Sequence, residues 1–274
     1  MESGKLIAVR GGGDIATGTI CRLHRCGFRV VILETDAPRA IRRTVSLAEA
    51  VYDGRQTVEG VTAERVASVA GCEEVWSRGN IPVLIDPRAE TLACLQPVAL
   101  IDAILAKRNC GTRITMAEIT IALGPGFIAG EDVHIGIETA RGHDLGRVLL
   151  TGSALPNTGI PGAVEGFSKE RVLYAPCEGT ISVVRDIGSI VEKGEALAQI
   201  DTAPINAPFR GVVRGMLRDR SRVHQGLKIA DLDPRYNELK NCATISDKAR
   251  CISGGVLEAL LFFCNTNSKV SDGR

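Results

Sequence analysis

The sequence has no excess of either charge sign and no long apolar run. Its 274 residues carry 33 Lys and Arg against 32 Asp and Glu, a formal net charge of +1. Such a balance provides no net field to attract nucleic acid or an anionic membrane, so we expect neither partner. The longest apolar stretch near the end, 256–264, is interrupted by Glu258 and too short to span a bilayer, and residues 1–5 lack the basic segment of a signal peptide. These absences predict a cytoplasmic protein.

Paired cysteines are also missing. The nine cysteines are an odd number, and none stands in a Cys-x-x-Cys pair. Without metal-ligand spacing or a secretion signal, we expect reduced thiols, several of them buried as small apolar residues. No structural metal site is expected.

The most informative feature present is a glycine-rich turn near the N terminus. An apolar strand over 6–9 leads into Gly-x-Gly-x-x-Ala at 11–16, a helix follows, and a second apolar strand over 28–33 ends at Glu34. This order is typical of a dinucleotide-binding turn, in which the glycines let the backbone approach the pyrophosphate and the acid accepts a ribose hydroxyl. The predicted cofactor-binding residues are Gly11, Gly12, Gly13, Asp14, Ala16 and Glu34.

A second interpretation of this turn stays open. Glycine-rich turns after a first strand also occur in doubly wound proteins that hold no nucleotide. Asp14 stands at the amino end of the predicted helix, where its carboxylate competes with a phosphate for the partial positive charge of the helix. The pattern therefore predicts the turn and leaves its ligand undecided.

Strands and helices alternate up to about residue 150. Apolar runs predict strands over 81–85, 97–101 and 119–123, and the spacing over 61–70 predicts a helix. Alternation of this kind favours an α/β fold with a Rossmann-like, doubly wound parallel sheet. We expect this domain to occupy residues 1–171.

Two groups of residues follow the ends of predicted strands, where open α/β sheets bind their ligands. The adjacent Arg42 and Arg43 could hold a phosphate or carboxylate, or else form ion pairs of their own. Gly124 and Gly126 form a turn directly after the strand 119–123. That turn is a second candidate wall of the same crevice.

Ionisable residues are grouped along the segment 132–138. Alternation places Asp132, His134 and Glu138 on one side of a strand, and Arg141 and His143 follow it. Such a group could bind a metal, hold an anionic ligand or transfer protons. A structural network of buried polar groups is the alternative.

Six segments of the chain resemble the selenium-dependent molybdenum hydroxylase accessory proteins of the YqeB type. They are Ile41–Ser46, Leu123–Phe127, Glu131–His134, Glu138–His143, Ser246–Arg250 and Gly254–Glu258. The resemblance implies a role in the maturation of selenium-containing molybdenum hydroxylases such as xanthine dehydrogenase, with a molybdenum hydroxylase as protein partner. It also implies an N-terminal half similar to the Rossmann part of XdhC-type accessory factors. The chemistry is left open.

From residue 172 the composition changes to short strands with regular glycine turns. The pattern Ala-Pro-x-x-Gly at 175–179 recurs at 207–211, a spacing of 32. Two such halves predict one interlocked all-β barrel-sandwich over 172–234, which resembles the biotinyl/lipoyl carrier domains. Those carriers present a lysine between the halves, whereas 200–207 contains none. We therefore expect no covalent biotin or lipoate, and a role as a rigid adaptor or part of a binding wall.

The remaining residues, 235–274, are expected to include a helix that packs on the first domain. Ser246 is a good helix cap, and apolar residues then recur at three- and four-residue steps as far as Phe263. Gly254 and Gly255 lie within this pattern, and each costs about 1 kcal/mol in a helix. Close packing against another backbone would compensate for that cost.

Three functions are compatible with these features. The first is an accessory or maturation factor that holds a nucleotide, such as a dinucleotide, the molybdenum cofactor or a selenium species in the crevice. The second is an NAD(P)-dependent oxidoreductase, with His134 as the candidate proton donor. The third is a non-catalytic scaffold or carrier built around the repeat domain. The identity of the small-molecule ligand, any catalytic residue and the formation of a homo-oligomer are left open by the sequence.

Overall fold

The computed structural model describes residues 4–159, 162 and 164–271. The chain forms two compact units. The first comprises the residues up to 38, 46–157 and those from 245 onward, and the second comprises 39–45 and 158–244. The chain thus enters the second unit twice, whereas the expected segments 1–171, 172–234 and 235–274 are each continuous. None of the described helices combines the length and the apolar character needed to cross a membrane.

A nine-stranded mixed sheet forms the centre of the first unit. Its strands are β1 (Leu6–Arg10), β2 (Arg29–Glu34), β3 (Arg55–Val58), β4 (Val61–Arg65), β5 (Ile81–Ile85), β6 (Ala99–Asp102), β7 (Ile119–Leu123), β8 (Ile135–Ile137) and β9 (Val148–Leu149). Their order across the sheet is β3-β4-β5-β2-β1-β6-β7-β8-β9. The inner pairs, from β4 to β8, are parallel, and the edge pairs β3/β4 and β8/β9 are antiparallel.

The expected Rossmann-like, doubly wound parallel sheet is therefore wrong. The sheet is mixed, and several of its connections contain little helix. The helices α2 (Ala50–Asp53), α3 (Cys72–Ser77) and α4 (Leu92–Leu95) have four, six and four residues. The described connection between β7 and β8 contains no helix. The longer helices are α1 (Asp14–Arg25) and α5 (Asp247–Ser271).

The segment 61–70 shows why local spacing misled the prediction. Residues Val61–Arg65 form strand β4 rather than the start of a helix. Glu59 and Gly60 adopt φ values of 46° and 82° and turn β3 into an antiparallel hairpin with β4. A two-residue turn with both φ angles positive matches the twist of paired strands. The hairpin thus overrides the apolar spacing.

The second unit contains two four-stranded antiparallel sheets. Its strands are β10 (Val172–Tyr174), β11 (Gly179–Val183), β12 (Ile190–Val191), β13 (Ala196–Ile200), β14 (Ala203–Asn206), β15 (Gly211–Met216), β16 (Arg222–Val223) and β17 (Lys228–Asp233). One sheet has the order β10-β17-β15-β12 and the other β14-β13-β11-β16. The repeated halves exchange strands, since β12 pairs with β15 and β11 with β16. Two sheets replace the single biotinyl/lipoyl-like barrel-sandwich, so that part of the fold prediction is wrong as well.

Helix α5 packs on α1 within the first unit. Ser246 caps it, with its Oγ accepting the N–H of Ala249 at 3.2 Å. Gly18 of α1 leaves room for this helix, because a Cβ at position 18 would stand 2.8 Å from the Cβ of Ala249. Farther along α5, a Cβ at Gly255 would stand 2.1 Å from the carbonyl oxygen of Gly146. The close backbone approach expected at the glycine pair is present at its second member.

Candidate functional site

Two of the three glycines in the turn between β1 and α1 lie against the backbone of other segments. A Cβ at Gly11 would stand 3.0 Å from the carbonyl oxygen of Ala103, and one at Gly12 would stand 2.9 Å from the nitrogen of Ala48. The N–H of Ala48 also donates to the Gly12 carbonyl at 2.9 Å. At Gly13, in contrast, an added Cβ would find no atom within 4 Å. Of these three glycines, Gly13 is the one whose α-carbon faces open space.

Glu34 hydrogen-bonds to this turn. Its Oε2 accepts the N–H of Gly12 at 2.7 Å, and its Oε1 accepts the N–H of Thr35 at 2.8 Å. Burial raises the pKa of Glu34, and the two amide bonds oppose that rise. Ala16 is fully buried within α1. Both residues hold the turn and helix in place, and the ribose contact of Glu34 stays a prediction.

Charged residues from three distant segments interact with one another near the start of α1. Asp14 is the first residue of that helix, Glu138 follows β8, and Lys248 lies in the first turn of α5. The amine of Lys248 interacts electrostatically with both of these carboxylates and with Arg141 and Asp247. We name these five residues the Lys248 cluster.

Glu138 is the buried acid of the Lys248 cluster. Its Oε1 accepts the N–H groups of Thr139 at 2.6 Å and Ala140 at 2.7 Å, and its Oε2 accepts the N–H of Leu155 at 2.7 Å. Three amide donors compensate for the loss of water around a buried carboxylate. Glu138 thereby fixes the chain after β8, where Arg141 follows.

Arg141 and Asp247 join the loop after β8 to the start of α5. The guanidinium binds the carboxylate through two hydrogen bonds, at 2.8 and 3.0 Å. Both side chains are at least half exposed. The paired, fork-like geometry sets the direction of both groups more firmly than a single contact would.

Lys248 makes no hydrogen bond or ion pair with any residue that the structure describes. Burial lowers the pKa of its amine, and Arg141 lowers it further, while Asp14, Glu138 and Asp247 oppose the shift. Such an amine can hold an anion as ammonium or accept a proton in its neutral form. Lys248 is therefore the residue of this site on which the proposal of a bound anion depends.

His134 and Asp132 do not join the Lys248 cluster. The Nδ1 atom of His134 lies 2.8 Å from the Thr120 hydroxyl and accepts the Thr120 N–H at 3.1 Å. The ring packs edge-on against Phe263 of α5, with 5.3 Å between centroids, and burial lowers the pKa of His134. Asp132 accepts the N–H of Ile128 at 2.8 Å and closes a turn before β8. Residues 132, 134 and 138 thus bind three different groups, and only 135–137 between them form strand β8.

Arg42 and Arg43 belong to the second unit and make internal contacts there. Arg42 is buried and donates to the carbonyl of Asn241 at 2.8 Å. Arg43 donates to the carbonyl of Met216 at 2.8 Å and forms an ion pair with Asp186. Of the two interpretations open to the sequence, internal pairing is the one observed.

The second glycine turn closes on neighbouring parts of the chain. A Cβ at Gly124 would stand 2.6 Å from the hydroxyl oxygen of Thr139, and one at Gly126 would stand 2.6 Å from the Cα of Arg108. His143 is exposed. Within the described part of the chain, no three His, Cys, Asp or Glu side chains are grouped so as to hold a metal ion.

Lys248 and Asp247 are the two residues of this site that were not predicted from the sequence, and Lys248 is the central one. It lies two residues after the capping Ser246, in the first turn of α5. The partial positive charge at the amino end of a helix disfavours a cation there. A lysine at that position is thus the signal that could have identified it.

Comparisons with known proteins place the chain beside one curated relative. No protein-family model matches it. It is 48% identical over 267 residues to the uncharacterized protein YqeB of Escherichia coli strain K12, a match that covers 97% of this chain and 49% of YqeB. The chain therefore spans about half the length of that relative.

Solved structures show faint likeness to the chain. An aspartoacylase family protein from Mesorhizobium loti is 12% identical with a TM-score of 0.26, and the match covers 84% of this chain and 85% of that one. The product-bound ectoine utilization protein EutE (DoeB) from Ruegeria pomeroyi is 9% identical with a TM-score of 0.25, and the match covers 84% of this chain and 85% of that one. A succinylglutamate desuccinylase from Silicibacter sp. TM1040 is 12% identical with a TM-score of 0.24, and the match covers 85% of this chain and 87% of that one. Scores this low carry no functional argument. The comparison that bears on this chain is its sequence similarity to about half of YqeB.

Proposed function

We propose that the chain is an accessory factor in the maturation of a selenium-dependent molybdenum hydroxylase, and that it holds an anionic small molecule at the Lys248 cluster. The pathway is what the six segments that resemble YqeB-type accessory proteins imply, and the chain is 48% identical to YqeB, which is itself uncharacterized. Since the chain spans about half of YqeB, the proposal concerns the matched half.

The convergence of distant segments is the observation that carries this proposal. Glu138–His143 and Ser246–Arg250 both belong to the resemblance, and the Arg141–Asp247 pair joins them in space. The amine of Lys248 also interacts electrostatically with Asp14, which follows Gly13 at the amino end of α1. Polar residues on loops and helix ends that gather at one point are more typical of a binding site than of core packing.

An anion is the ligand class that these groups favour. Lys248 and Arg141 supply two cations, and the amino end of α1 supplies backbone N–H groups beside the open Gly13. Asp14, Glu138 and Asp247 all oppose an anion. Three backbone N–H groups satisfy Glu138, and Arg141 pairs with Asp247, so Lys248 and the amino end of α1 have to outweigh the charge of Asp14. A nucleotide and the molybdenum cofactor both carry phosphate, and selenite is itself an anion, so each belongs to this class.

The oxidoreductase alternative has no support of this kind. Its candidate proton donor, His134, accepts a backbone N–H at Nδ1 and packs against Phe263. Its candidate ribose acceptor, Glu34, already accepts the N–H of Gly12.

The test compares Lys248→Met with Lys193→Met, which removes an exposed lysine from the second unit. Calorimetry measures the binding of adenosine diphosphate, inorganic phosphate and selenite to each variant. Maturation is measured as hydroxylase activity in cells in which the introduced gene of the wild type or variant is the sole source of this protein. We expect Lys248→Met to lose both and Lys193→Met to keep both. Full hydroxylase activity in the Lys248→Met strain at equal protein level would contradict the proposal.

A further inference from the structure

Residues 103–105 begin the loop after strand β6 and lie against the glycine turn before α1. A Cβ on Gly11 would stand 3.0 Å from the carbonyl oxygen of Ala103 and 3.2 Å from the Cα of Ile104. Gly11 lies three residues before Asp14, which belongs to the Lys248 cluster. This loop therefore approaches the cluster at the amino end of α1.

The same loop also reaches the segment that follows strand β8. A Cβ on Gly124 would stand 3.6 Å from the Cδ2 of Leu105 and 2.6 Å from the Oγ1 of Thr139. Thr139 directly follows Glu138, the buried acid of the Lys248 cluster. Residues 103–105 thus extend from one acid-bearing segment of the cluster to another, and they form a wall beside it.

This wall is apolar, in contrast to the cluster that it borders. Residues 103–106 have the sequence Ala-Ile-Leu-Ala, Ile104 is 38% exposed, and Leu105 is half-buried. An inorganic oxyanion gains nothing from such a wall, because its oxygens need hydrogen-bond donors. Small-molecule sites, however, are lined mostly by apolar side chains, with a few polar groups that fix the orientation of the ligand. The pairing of wall and cluster fits a ligand with an apolar part and an anionic part.

A buried network fixes the beginning of this loop. Asp102, the last residue of β6, accepts the N–H of Ile104 at 3.2 Å and the hydroxyl of Thr112 at 2.5 Å. Arg10 forms an ion pair with Asp102 at 3.4 Å, and both residues are almost fully buried. A wall that is held in this way does not have to be ordered when a ligand binds, which favours affinity.

The backbone of the loop is strained at two positions. Leu105 and Lys107 adopt φ values of 59° and 62°, in the left-handed region that favours glycine. Other residues cost free energy there and are retained where the surrounding structure holds them, frequently at ligand-binding sites. The strained residue Leu105 is the one whose side chain lies next to Thr139.

We propose that the ligand of the Lys248 cluster is an organic phosphate, whose phosphate binds Lys248 and whose apolar part packs on Ile104 and Leu105. This inference rests on the proposed function and narrows the class of anion named there. Inorganic phosphate and selenite have no apolar part and leave the wall uncovered. The ligand chemistry is therefore that of a phosphorylated organic molecule.

The test measures the binding of adenosine diphosphate, flavin mononucleotide, inorganic phosphate and selenite by calorimetry. The variants are Ile104→Ser, Leu105→Asn and Lys248→Met, and melting temperatures show whether each is folded. Asparagine tolerates the left-handed region, so Leu105→Asn replaces the side chain without adding strain. Leu261→Ser is the matched control, because Leu261 is 40% exposed and lies about 20 Å along α5 from Lys248.

We expect at least one of the two organic phosphates to bind at least tenfold more tightly than inorganic phosphate and selenite. Ile104→Ser and Leu105→Asn should remove most of that advantage without changing the affinity for inorganic phosphate. The control should change neither affinity, and Lys248→Met should lose both. If one wall variant fails to fold, the other decides.

Two results would overturn the inference while the proposed function stands. One is equal affinity for the organic and the inorganic anions, and the other is tight organic binding that neither wall variant weakens. Binding that persists in Lys248→Met would instead overturn the proposed function, and with it the inference. The absence of binding for all four compounds would overturn both.

Discussion

Gly255 of α5 lies against Gly146, so closely that a Cβ on Gly255 would stand 2.1 Å from the Gly146 carbonyl oxygen. This contact holds the helix that carries Lys248 against the loop that follows Glu138 and Arg141. The geometry of the candidate site thus depends on a backbone contact that a side chain would break.

Replacing Gly255 should therefore destabilise the first unit. We expect Gly255→Ala to lower the free energy of unfolding by about 3 kcal/mol, at the upper end of the cost of overpacking, because the obstructing atom belongs to the backbone. Gly254→Ala is the matched control, since its Cβ would meet the end of the flexible Arg22 side chain at 3.2 Å. That change should be neutral or stabilising by up to about 1 kcal/mol from helix propensity. Denaturant unfolding measures both, and equal stabilities would contradict the contact.

The glycine turn offers a second matched pair. Gly12→Ala would place a Cβ 2.9 Å from the backbone of Ala48, whereas Gly13→Ala would place one in open space. We expect the first to cost about 1–3 kcal/mol by overpacking. The second should cost less than about 1 kcal/mol, because alanine is only a poorer helix cap than glycine. Melting temperatures of both variants check the order, and a greater loss for Gly13→Ala would refute it.

Lys248 should reduce stability at neutral pH. Burial holds its pKa below the ordinary value of 10.5, so between the folded and unfolded pKa values the unfolded chain binds more protons. The contribution of Lys248 to stability must therefore rise as pH increases through that window. We expect Lys248→Met to melt higher than the wild type at pH 7, and the gap to narrow as pH approaches 10.5. A melting temperature below that of the wild type at pH 7, with Lys193→Met unchanged, would show that the lysine is a structural ion.

Asp233 should make the second unit sensitive to acid. Burial pushes the pKa of Asp233 up, but the hydrogen bonds from Arg235 and the nearby Arg171 outweigh it and hold the pKa below the ordinary 3.8. Its stabilisation is thus present above pH 3.8 and is lost as pH falls through the folded pKa. Asp233→Asn should cost about 1.5–3 kcal/mol at pH 7, since it removes the charge from the hydrogen bonds that Arg235 donates.

Melting curves from pH 7 down to pH 3 test this prediction, with the exposed Asp36→Asn as control. The difference between wild type and Asp233→Asn should shrink in acid. If the difference in melting temperature does not change with pH, the substitution destabilises the protein through altered packing and not through the lost charge.

Much of the local structure could be predicted from the residues alone. The expected strands over 81–85 and 119–123 coincide with β5 and β7, because unbroken apolar runs are buried on both faces of a sheet. The cap at Ser246 and the close approach at the glycine pair were also predictable. Each depends on neighbours within a few positions, or on the high cost of glycine inside a helix.

The tertiary structure alone decided the arrangement of these elements and the composition of the site. Apolar spacing over 61–70 gave no warning of a hairpin, and nothing local showed that Arg42 and Arg43 would bind carbonyls about 170 to 200 positions away. The electrostatic interactions of Lys248 likewise involve Asp14 and Glu138, and more than a hundred residues separate Glu138 from each of the other two in the sequence. Periodicity and capping describe a helix or strand by itself, whereas strand order and charge clusters depend on which distant surfaces pack together. Strand order and the charge cluster can therefore be determined only from the folded chain, because burial and electrostatic interactions depend on distance in space rather than on separation in the sequence.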